Sequence, residues 1–242
     1  MIEIKNLVCK YYTEKKNAVE IESLTINSGE VVALIGENGA GKTTLLKAVM
    51  DLMPKKSGDI LIDGKNPQDM LDEMTFITEE GSMFGYETPK KFAQFLAGFY
   101  SNFDMKRFDL LIEFFNIEDK KINQMSKGQQ ARVEIAIGFS KGAKYIIMDE
   151  PFFGKDIFTR KDFLKLMAGT LHEDETIIIS THQIEEIQNF IDRALVIKDG
   201  KIIGDINMEQ LQANGITLEQ KFGELLGYNE EKFTELFLAG NK

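Results

Sequence analysis

Apolar residues show two different strand-like patterns along this chain. In residues 2–9 and 18–26 apolar and polar side chains alternate, which is the pattern of antiparallel strands with one buried face. Shorter runs are continuously apolar, as in parallel strands that are buried on both faces, and they lie at 31–36, 145–149, 176–180 and 194–198. Helical spacing follows the first of these runs, at 43–53. Buried strands that alternate with helices predict a parallel sheet covered by helices on both faces.

Apolar residues are spaced as in helices through the middle of the chain, at 90–100, 109–117 and 129–140. Because strand patterns are weak there, we predict a helical insertion at about 80–140 between core strands. Since large aromatic side chains are most often buried, its phenylalanines are predicted to be core residues rather than cofactor contacts: Phe92, Phe95, Phe99, Phe114 and Phe115. A tail at about 207–242 is predicted to form two or three short helices, the last of which packs on the core.

Length, charge and cysteine content narrow the classes of function. The 242 residues are 43% hydrophobic, which is enough for one well-packed core. The formal net charge is -10, which does not indicate a basic binding surface. We therefore expect no nucleic-acid partner and no charge-driven docking on an anionic membrane. Cys9 is the single cysteine, which excludes an internal disulfide and is compatible with a reducing compartment. The sequence shows neither a signal-peptide core nor an apolar run long enough to span a bilayer, and it predicts a soluble, cytoplasmic chain.

A phosphate-binding pattern lies between the first buried strand and the helix that follows it. Residues 36–43, GENGAGKT, match G-x-x-x-x-G-K-[ST], and chance produces such a match in about one chain in a hundred of this length. Glycines let backbone N–H groups wrap around phosphates, Lys42 supplies a positive charge, and Thr43 offers a hydroxyl to Mg²⁺. We therefore predict binding of ATP and Mg²⁺ by this phosphate loop, with contacts from Gly36, Asn38, Gly39, Ala40, Gly41, Lys42, Thr43 and Thr44.

Two later strands end in polar residues that suit phosphate chemistry. Asp149 ends the run at 145–149 and can hold the hydration shell of Mg²⁺, while Glu150 can orient or deprotonate the attacking water. The alternative is an acidic pair that only caps a strand at a turn, which Pro151 favours. His182 follows the next apolar strand, at the carboxyl edge where open α/β sheets bind ligands, and it is predicted to contact the γ-phosphate.

A second anion site is predicted in the sequence MSKGQQ, residues 125–130. Ser126, Gly128 and Gln129 stand at the start of a predicted helix, where backbone N–H groups and the helix dipole favour negative charge. One domain that already has a phosphate loop has no evident use for this site.

The order of these motifs resembles the nucleotide-binding subunit of ABC transporters over essentially the whole chain. That order is phosphate loop, helical insertion, MSKGQ, YIIMDEP and STH. The resemblance implies a single α/β domain over 1–242, with a P-loop NTPase (ABC ATPase) core, a mixed sheet, an antiparallel β subdomain and an inserted α-helical subdomain. It also implies an ATPase that pairs head to tail. In such a pair residues 125–129, the signature segment, close over the ATP that a second subunit holds, either a copy or a paralogue.

Three further positions are carried over from the family one at a time. Tyr11 is the aromatic residue expected to stack on adenine. Glu79 stands where the family usually has a glutamine that touches Mg²⁺, and a carboxylate at that position can meet a cation but cannot donate a hydrogen bond. In the loop after the acidic pair Asp156 matches the family and is expected to contact the nucleotide, whereas Phe153 and Lys155 depart from it.

The short length and the segment LEQKFGELLG at 218–227 resemble the ATPases of ABC-2-type exporters. This resemblance implies separate integral membrane permease subunits, which would dock near residues 79–100, and a cytoplasmic ATPase that is peripheral on the inner face of the membrane. Its expected cargo is a peptide, drug or lipid. Two alternatives stay open: a soluble ABC ATPase that remodels a cytoplasmic complex, and an ATP-gated dimerisation module with negligible turnover.

Overall fold

A computed structural model describes residues 1–78, 83–151, 174–182 and 184–227 of the chain. The predictions made for Glu79, Phe153, Lys155 and Asp156 lie outside these described residues, as does the predicted packing of the last part of the tail.

A three-stranded antiparallel sheet forms one layer, in the order β2-β1-β4. It consists of β1 (Ile2–Cys9), β2 (Val19–Ile26) and β4 (Lys55–Ile62). Side chains of β1 alternate as predicted, but the alternation shifts at Asn6, whose φ of 49° is left-handed. Ile4 is buried before this residue and Leu7 after it. The period-2 pattern therefore predicted β1 and β2 correctly, whereas β4 was not predicted.

A six-stranded sheet with the order β5-β6-β7-β3-β8-β9 forms the centre of the fold. The first five strands in that order are parallel and β9 is antiparallel to β8, so the sheet is mixed. The continuous apolar runs are thereby confirmed as parallel strands. The strand bounds are β3 Val31–Ile35, β5 Met74–Thr78, β6 Tyr145–Asp149, β7 Thr176–Thr181, β8 Arg193–Lys198 and β9 Lys201–Asn207.

Helices cover both faces of the central sheet. Because adjacent residues of a strand point to opposite faces, Val32 and Leu34 pack in a core with α1 and the antiparallel sheet, and Ala33 and Ile35 pack towards the helical insertion. The helices in the described residues are α1 Lys42–Val49, α2 Pro89–Ala97, α3 Met105–Phe114, α4 Lys127–Ser140, α5 Ile184–Ile187, α6 Met208–Ala213 and α7 Leu218–Leu226. The 3₁₀ segments are Pro67–Glu73 and Ile122–Gln124.

The burial prediction for the phenylalanines was wrong for three of the five. Phe92 and Phe115 are buried, whereas the exposed fractions are 46% for Phe95, 71% for Phe99 and 42% for Phe114. Phe92, Phe95 and Phe99 form one stripe at helical spacing along α2 and just beyond its end. Exposure rises along this stripe from Phe92 to Phe99, so a regular apolar spacing does not guarantee a neighbour to pack against.

Candidate active site

The loop between β3 and α1 requires its glycines. Gly39 and Gly41 have φ values of 80° and 108°, in the left-handed region that side chains disfavour. At Gly36 an added Cβ would come within 2.4 Å of the carbonyl oxygen of Ile197, on the neighbouring strand β8. The loop therefore brings its backbone close to the sheet edge and can turn N–H groups towards an anion, as the pattern predicted.

Lys42 is buried at the start of α1, with 6% of its surface exposed. Its ammonium donates to the carbonyl oxygens of Gly36 at 2.8 Å and Glu37 at 3.3 Å. The same nitrogen lies 3.1 Å from Oε1 of Glu150, so the structure brings together two of the three predicted catalytic residues.

A hydroxyl, a carboxylate and a second hydroxyl meet next to this lysine. Thr43 Oγ1 donates to Asp149 Oδ1 at 3.1 Å, and Ser180 Oγ donates to the same oxygen at 2.6 Å. Parallel pairing of β6 with β7 places Asp149 directly opposite Ser180. Ser180 was not among the predicted site residues. The signal that could have revealed it is the strand register, because two parallel strands ending in polar residues place those residues side by side.

Glu150 adopts a strained backbone conformation. Its φ of 46° is left-handed, which is costly for a residue with a side chain and is concentrated at functional sites. Its N–H lies 3.1 Å from the carbonyl oxygen and 3.0 Å from the hydroxyl of Ser180, which hold the turn. The Glu150 carboxylate contacts His182 Nδ1 at 3.0 Å through Oε2, so the third predicted catalytic residue joins the cluster.

A cleft of about 600 Å³ opens beside this cluster, a volume suited to a small organic ligand. Tyr11 borders it and its hydroxyl lies 3.0 Å from Thr44 Oγ1, whereas Tyr12 is 99% exposed. A concavity of similar volume near Glu20 and Lys201 lacks a glycine loop, so we place the candidate site at the cleft. The glycine backbone, the buried ammonium and the oxygen donors Thr43 and Asp149 match a nucleoside triphosphate with Mg²⁺.

The signature segment lies outside this cleft. Among the described residues, the cleft is lined from 11–18, 38–44, Glu150 and 199–200. Ser126 instead caps α4: its hydroxyl accepts from the N–H of Gln129 at 3.2 Å, and the side chain of Gln129 accepts from the N–H of Ser126 at 3.1 Å. The predicted second anion site is therefore a rigidly capped helix start, with Gly128 in its first turn.

Residues 19–153, more than half of the chain, match the ABC transporter family. The chain belongs to this family. Among its relatives, the lipopolysaccharide export ATP-binding protein LptB of Haemophilus influenzae is 31% identical, over 87% of this chain and 92% of that protein. The ribose import ATP-binding protein RbsA of Lactococcus lactis is also 31% identical, over 97% of this chain but 51% of that protein.

Solved structures of ABC ATPases share the fold. The ATP-binding subunit of an ABC transporter superposes with a TM-score of 0.82 at 25% identity, covering 93% of this chain and 99% of that one. A dimeric ATP-binding cassette in a post-hydrolysis state, bound to ADP and Pi, superposes with a TM-score of 0.73 at 23% identity, covering 86% and 99%. The predicted family and fold class are confirmed, and the protein is an ABC ATPase and ATP-binding subunit. None of the helices in the described ranges combines the length and apolar character needed to cross a membrane.

Proposed function

We propose that this ABC protein is the ATPase subunit of a bacterial exporter and that it works as a head-to-tail dimer. ATP hydrolysis would drive a peptide, drug or lipid through separate membrane subunits. The observation that carries the proposal is the contact of Glu150 with both Lys42 and His182, beside the glycine loop. This cluster unites a phosphate-binding cation with a carboxylate that can act on water. The name of LptB, a lipopolysaccharide export protein, supports export.

The phosphate loop would hold the nucleotide. The backbone from Gly36 to Thr44 binds the phosphates in this proposal, and Lys42 adds a positive charge at their outer end. Bound Mg²⁺ would offset the phosphate charge, with Thr43 and Asp149 as its protein ligands or water anchors. Ser180 keeps the Asp149 carboxylate turned towards that position through its 2.6 Å hydrogen bond.

Glu150 is the proposed general base. Its backbone is fixed by two hydrogen bonds to Ser180, and its carboxylate lies between the cationic Lys42 and the ring of His182. A carboxylate held from both sides can orient a water towards the γ-phosphate with little reorganisation. His182 would fix the carboxylate and meet the γ-phosphate. Glu79 and Asp156 retain their proposed contacts with the cation and the nucleotide.

Tyr11 is proposed to stack on the adenine ring. Because aromatic stacking on a base is worth about 1–3 kcal/mol, Tyr11→Ala is expected to weaken ATP binding roughly 5- to 150-fold. Tyr11→Phe keeps the ring and loses only the hydroxyl contact with Thr44, so its affinity should stay near that of the wild type. Titration with a fluorescent ATP analogue measures both. Tyr12→Ala is the matched control, and a loss as large in this variant as in Tyr11→Ala would refute the assignment.

The signature segment is proposed to complete the site of a second subunit. The capping box of Ser126 and Gln129 fixes the first turn of α4, whose leading N–H groups have no acceptor within the helix. The γ-phosphate of a nucleotide held by another subunit is an anion that this turn can bind. The solved dimer of a related cassette supports such pairing, and the partner here would be a copy or a paralogue.

An aromatic patch is the proposed docking surface for the permease. Phe84, Tyr86, Phe95 and Phe99 are 39%, 64%, 46% and 71% exposed. Their rings form a continuous row, with centroids 5.7, 5.5 and 4.8 Å apart for the successive pairs 84–86, 84–95 and 95–99. Contiguous exposed rings mark interaction sites rather than ordinary surface. Their position inside the predicted range 79–100 favours an apolar cytoplasmic segment of the permease as the occupant.

Replacing Phe95 and Phe99, the two most exposed phenylalanines of this patch, should reduce docking of the permease without changing ATP binding. We expect Phe95→Ser/Phe99→Ser to reduce recovery of the permease about tenfold or more, because truncation of buried aromatic contacts costs 2 kcal/mol or more at interface centres. ATP affinity should be unchanged. The matched control is Leu110→Ser/Phe114→Ser on α3, with side chains of similar exposure. Equal recovery of the permease by both double variants would contradict this surface.

Affinity purification from detergent-solubilised native membranes tests the proposed function as a whole. A polytopic membrane protein recovered in stoichiometric amount would support the exporter subunit and point to its cargo. Only soluble partners, from membranes in which other membrane complexes survive, would favour a cytoplasmic remodelling ATPase instead. Recovery of the complex together with negligible ATP turnover would favour an ATP-gated dimerisation module.

A further inference from the structure

A buried ion pair joins the helical insertion to the central sheet. Arg107, the third residue of α3, donates to both carboxylate oxygens of Glu175, at 2.5 and 3.0 Å. Their side chains are 8% and 5% exposed. The guanidinium also lies 5.5 Å from the ring centroid of Phe139, near the end of α4. This side chain of α3 thus contacts both α4 and the residue that precedes β7.

This pair lies far from the nucleotide cleft. Glu175 precedes the first residue of β7, whereas Ser180 lies near its other end, so about 17 Å of strand separates them. The pair therefore cannot touch bound nucleotide in the same subunit, and any effect on the reaction must pass through the elements that it joins.

The pair is one of two anchors at the end of α4. On the other side Lys141, which follows α4, donates to the carbonyl oxygen of Leu71, in the 3₁₀ segment Pro67–Glu73, and to that of Met74, the first residue of β5. It also lies 4.2 Å from the ring of Tyr100. In the sheet order β5-β6-β7, these anchors hold the two neighbours of β6, the strand into which α4 leads. The end of α4 is therefore fixed beside the two strands that flank β6.

The opposite end of α4 carries the signature segment. With 14 residues, α4 is about 21 Å long, so a tilt of about 3° at its fixed end moves Ser126 by about 1 Å. Displacements of about 1 Å can reduce a reaction about 100-fold when they misplace a group that contacts the reacting atoms. A small change in the tilt of α4 at its anchored end thus becomes a larger displacement at the end that is proposed to contact the partner's nucleotide.

We propose that Arg107 and Glu175 are a positioning pair that sets the angle of α4 and so places Ser126 and Gly128 for the nucleotide of the second subunit. The inference rests on the proposed head-to-tail dimer. A planar guanidinium that binds a carboxylate through two parallel hydrogen bonds fixes orientation as well as distance, which a single-point contact does not. Binding of nucleotide to the subunit's own phosphate loop does not depend on the pair.

The test uses the full chain in a Glu150→Gln background, with ATP-dependent dimerisation measured by light scattering. Arg107→Met/Glu175→Leu removes both charges and keeps the packing volume, so the chain should still fold. Arg107→Lys keeps the charge without the planar fork. The matched control is Arg193→Met, which breaks a two-point ion pair with Asp205 between β8 and β9. All variants are compared at a temperature where circular dichroism shows each to be folded.

We expect the double variant to bind ATP as a monomer with unchanged affinity but to dimerise at least about tenfold more weakly, with Arg107→Lys intermediate and the control unaffected. Wild-type dimerisation by the double variant would overturn the inference, as would an equal loss in the control, which would indicate general destabilisation. Failure of Glu150→Gln itself to dimerise would instead remove the head-to-tail dimer, and the positioning role with it.

Discussion

Lys42→Met is expected to weaken ATP binding at least about 100-fold, because hydrogen bonds to charged groups contribute roughly 1.5–3 kcal/mol each and the lysine would make more than one to the phosphates. The buried ammonium is already oriented by the carbonyl oxygens of Gly36 and Glu37. Methionine fills a similar volume without charge. The variant also leaves the Glu150 carboxylate without its neighbouring cation, so hydrolysis should be lost with binding.

Calorimetric titration with ATP measures this effect directly. Lys47→Met is the matched control, since it removes a lysine from the same helix α1 without changing the loop, and its affinity should equal that of the wild type. Retention of ATP binding within threefold by Lys42→Met would show that Lys42 does not hold the outer phosphates.

Glu150→Gln is expected to lower the steady-state ATPase rate about 10²- to 10⁴-fold while leaving ATP affinity nearly unchanged. The amide keeps the size of the side chain but cannot accept a proton from water. The two hydrogen bonds from the backbone N–H of Glu150 to Ser180 do not involve the carboxylate, so the strained turn should persist. Phosphate release measured at saturating ATP gives the rate.

Glu37→Gln is the control for this variant, because it neutralises a carboxylate that lies in the phosphate loop but is not part of the contact with Lys42 and His182. It should retain the wild-type rate. A Glu150→Gln rate within threefold of the wild type would exclude Glu150 as the base. A wild-type rate no faster than that of Glu150→Gln would favour the dimerisation module over the exporter ATPase.

Local patterns in the sequence were sufficient to predict most elements of the fold. A strand pattern or a glycine loop is encoded within ten residues, so the strands of both sheets and the phosphate loop could be predicted without knowing their neighbours. Asp149, Glu150 and His182 could be predicted as well, since each follows a recognisable apolar strand and parallel strands end at one edge. The antiparallel strands β4 and β9 were not predicted.

The features that sequence reasoning missed depend on contacts between distant segments. Ser180 joins the site only because β6 and β7 pair in a particular register. The exposure of Phe95 and Phe99 depends on the absence of a covering neighbour among the described residues, which spacing along one helix does not report. Arg107 and Glu175 are 68 positions apart, and nothing in either local sequence indicates that these two charges meet in the core.

In the proposed dimer neither subunit holds a complete site, so ATP should join two subunits. The most direct test is light scattering of Glu150→Gln, alone and with ATP, together with the stoichiometry of bound nucleotide. We predict that ATP doubles the mass and that each dimer holds two ATP molecules. Adding Ser126→Arg should leave a monomer that still binds one ATP. A Glu150→Gln protein that stays monomeric at saturating ATP, or a Ser126→Arg variant that dimerises normally, would refute the head-to-tail dimer.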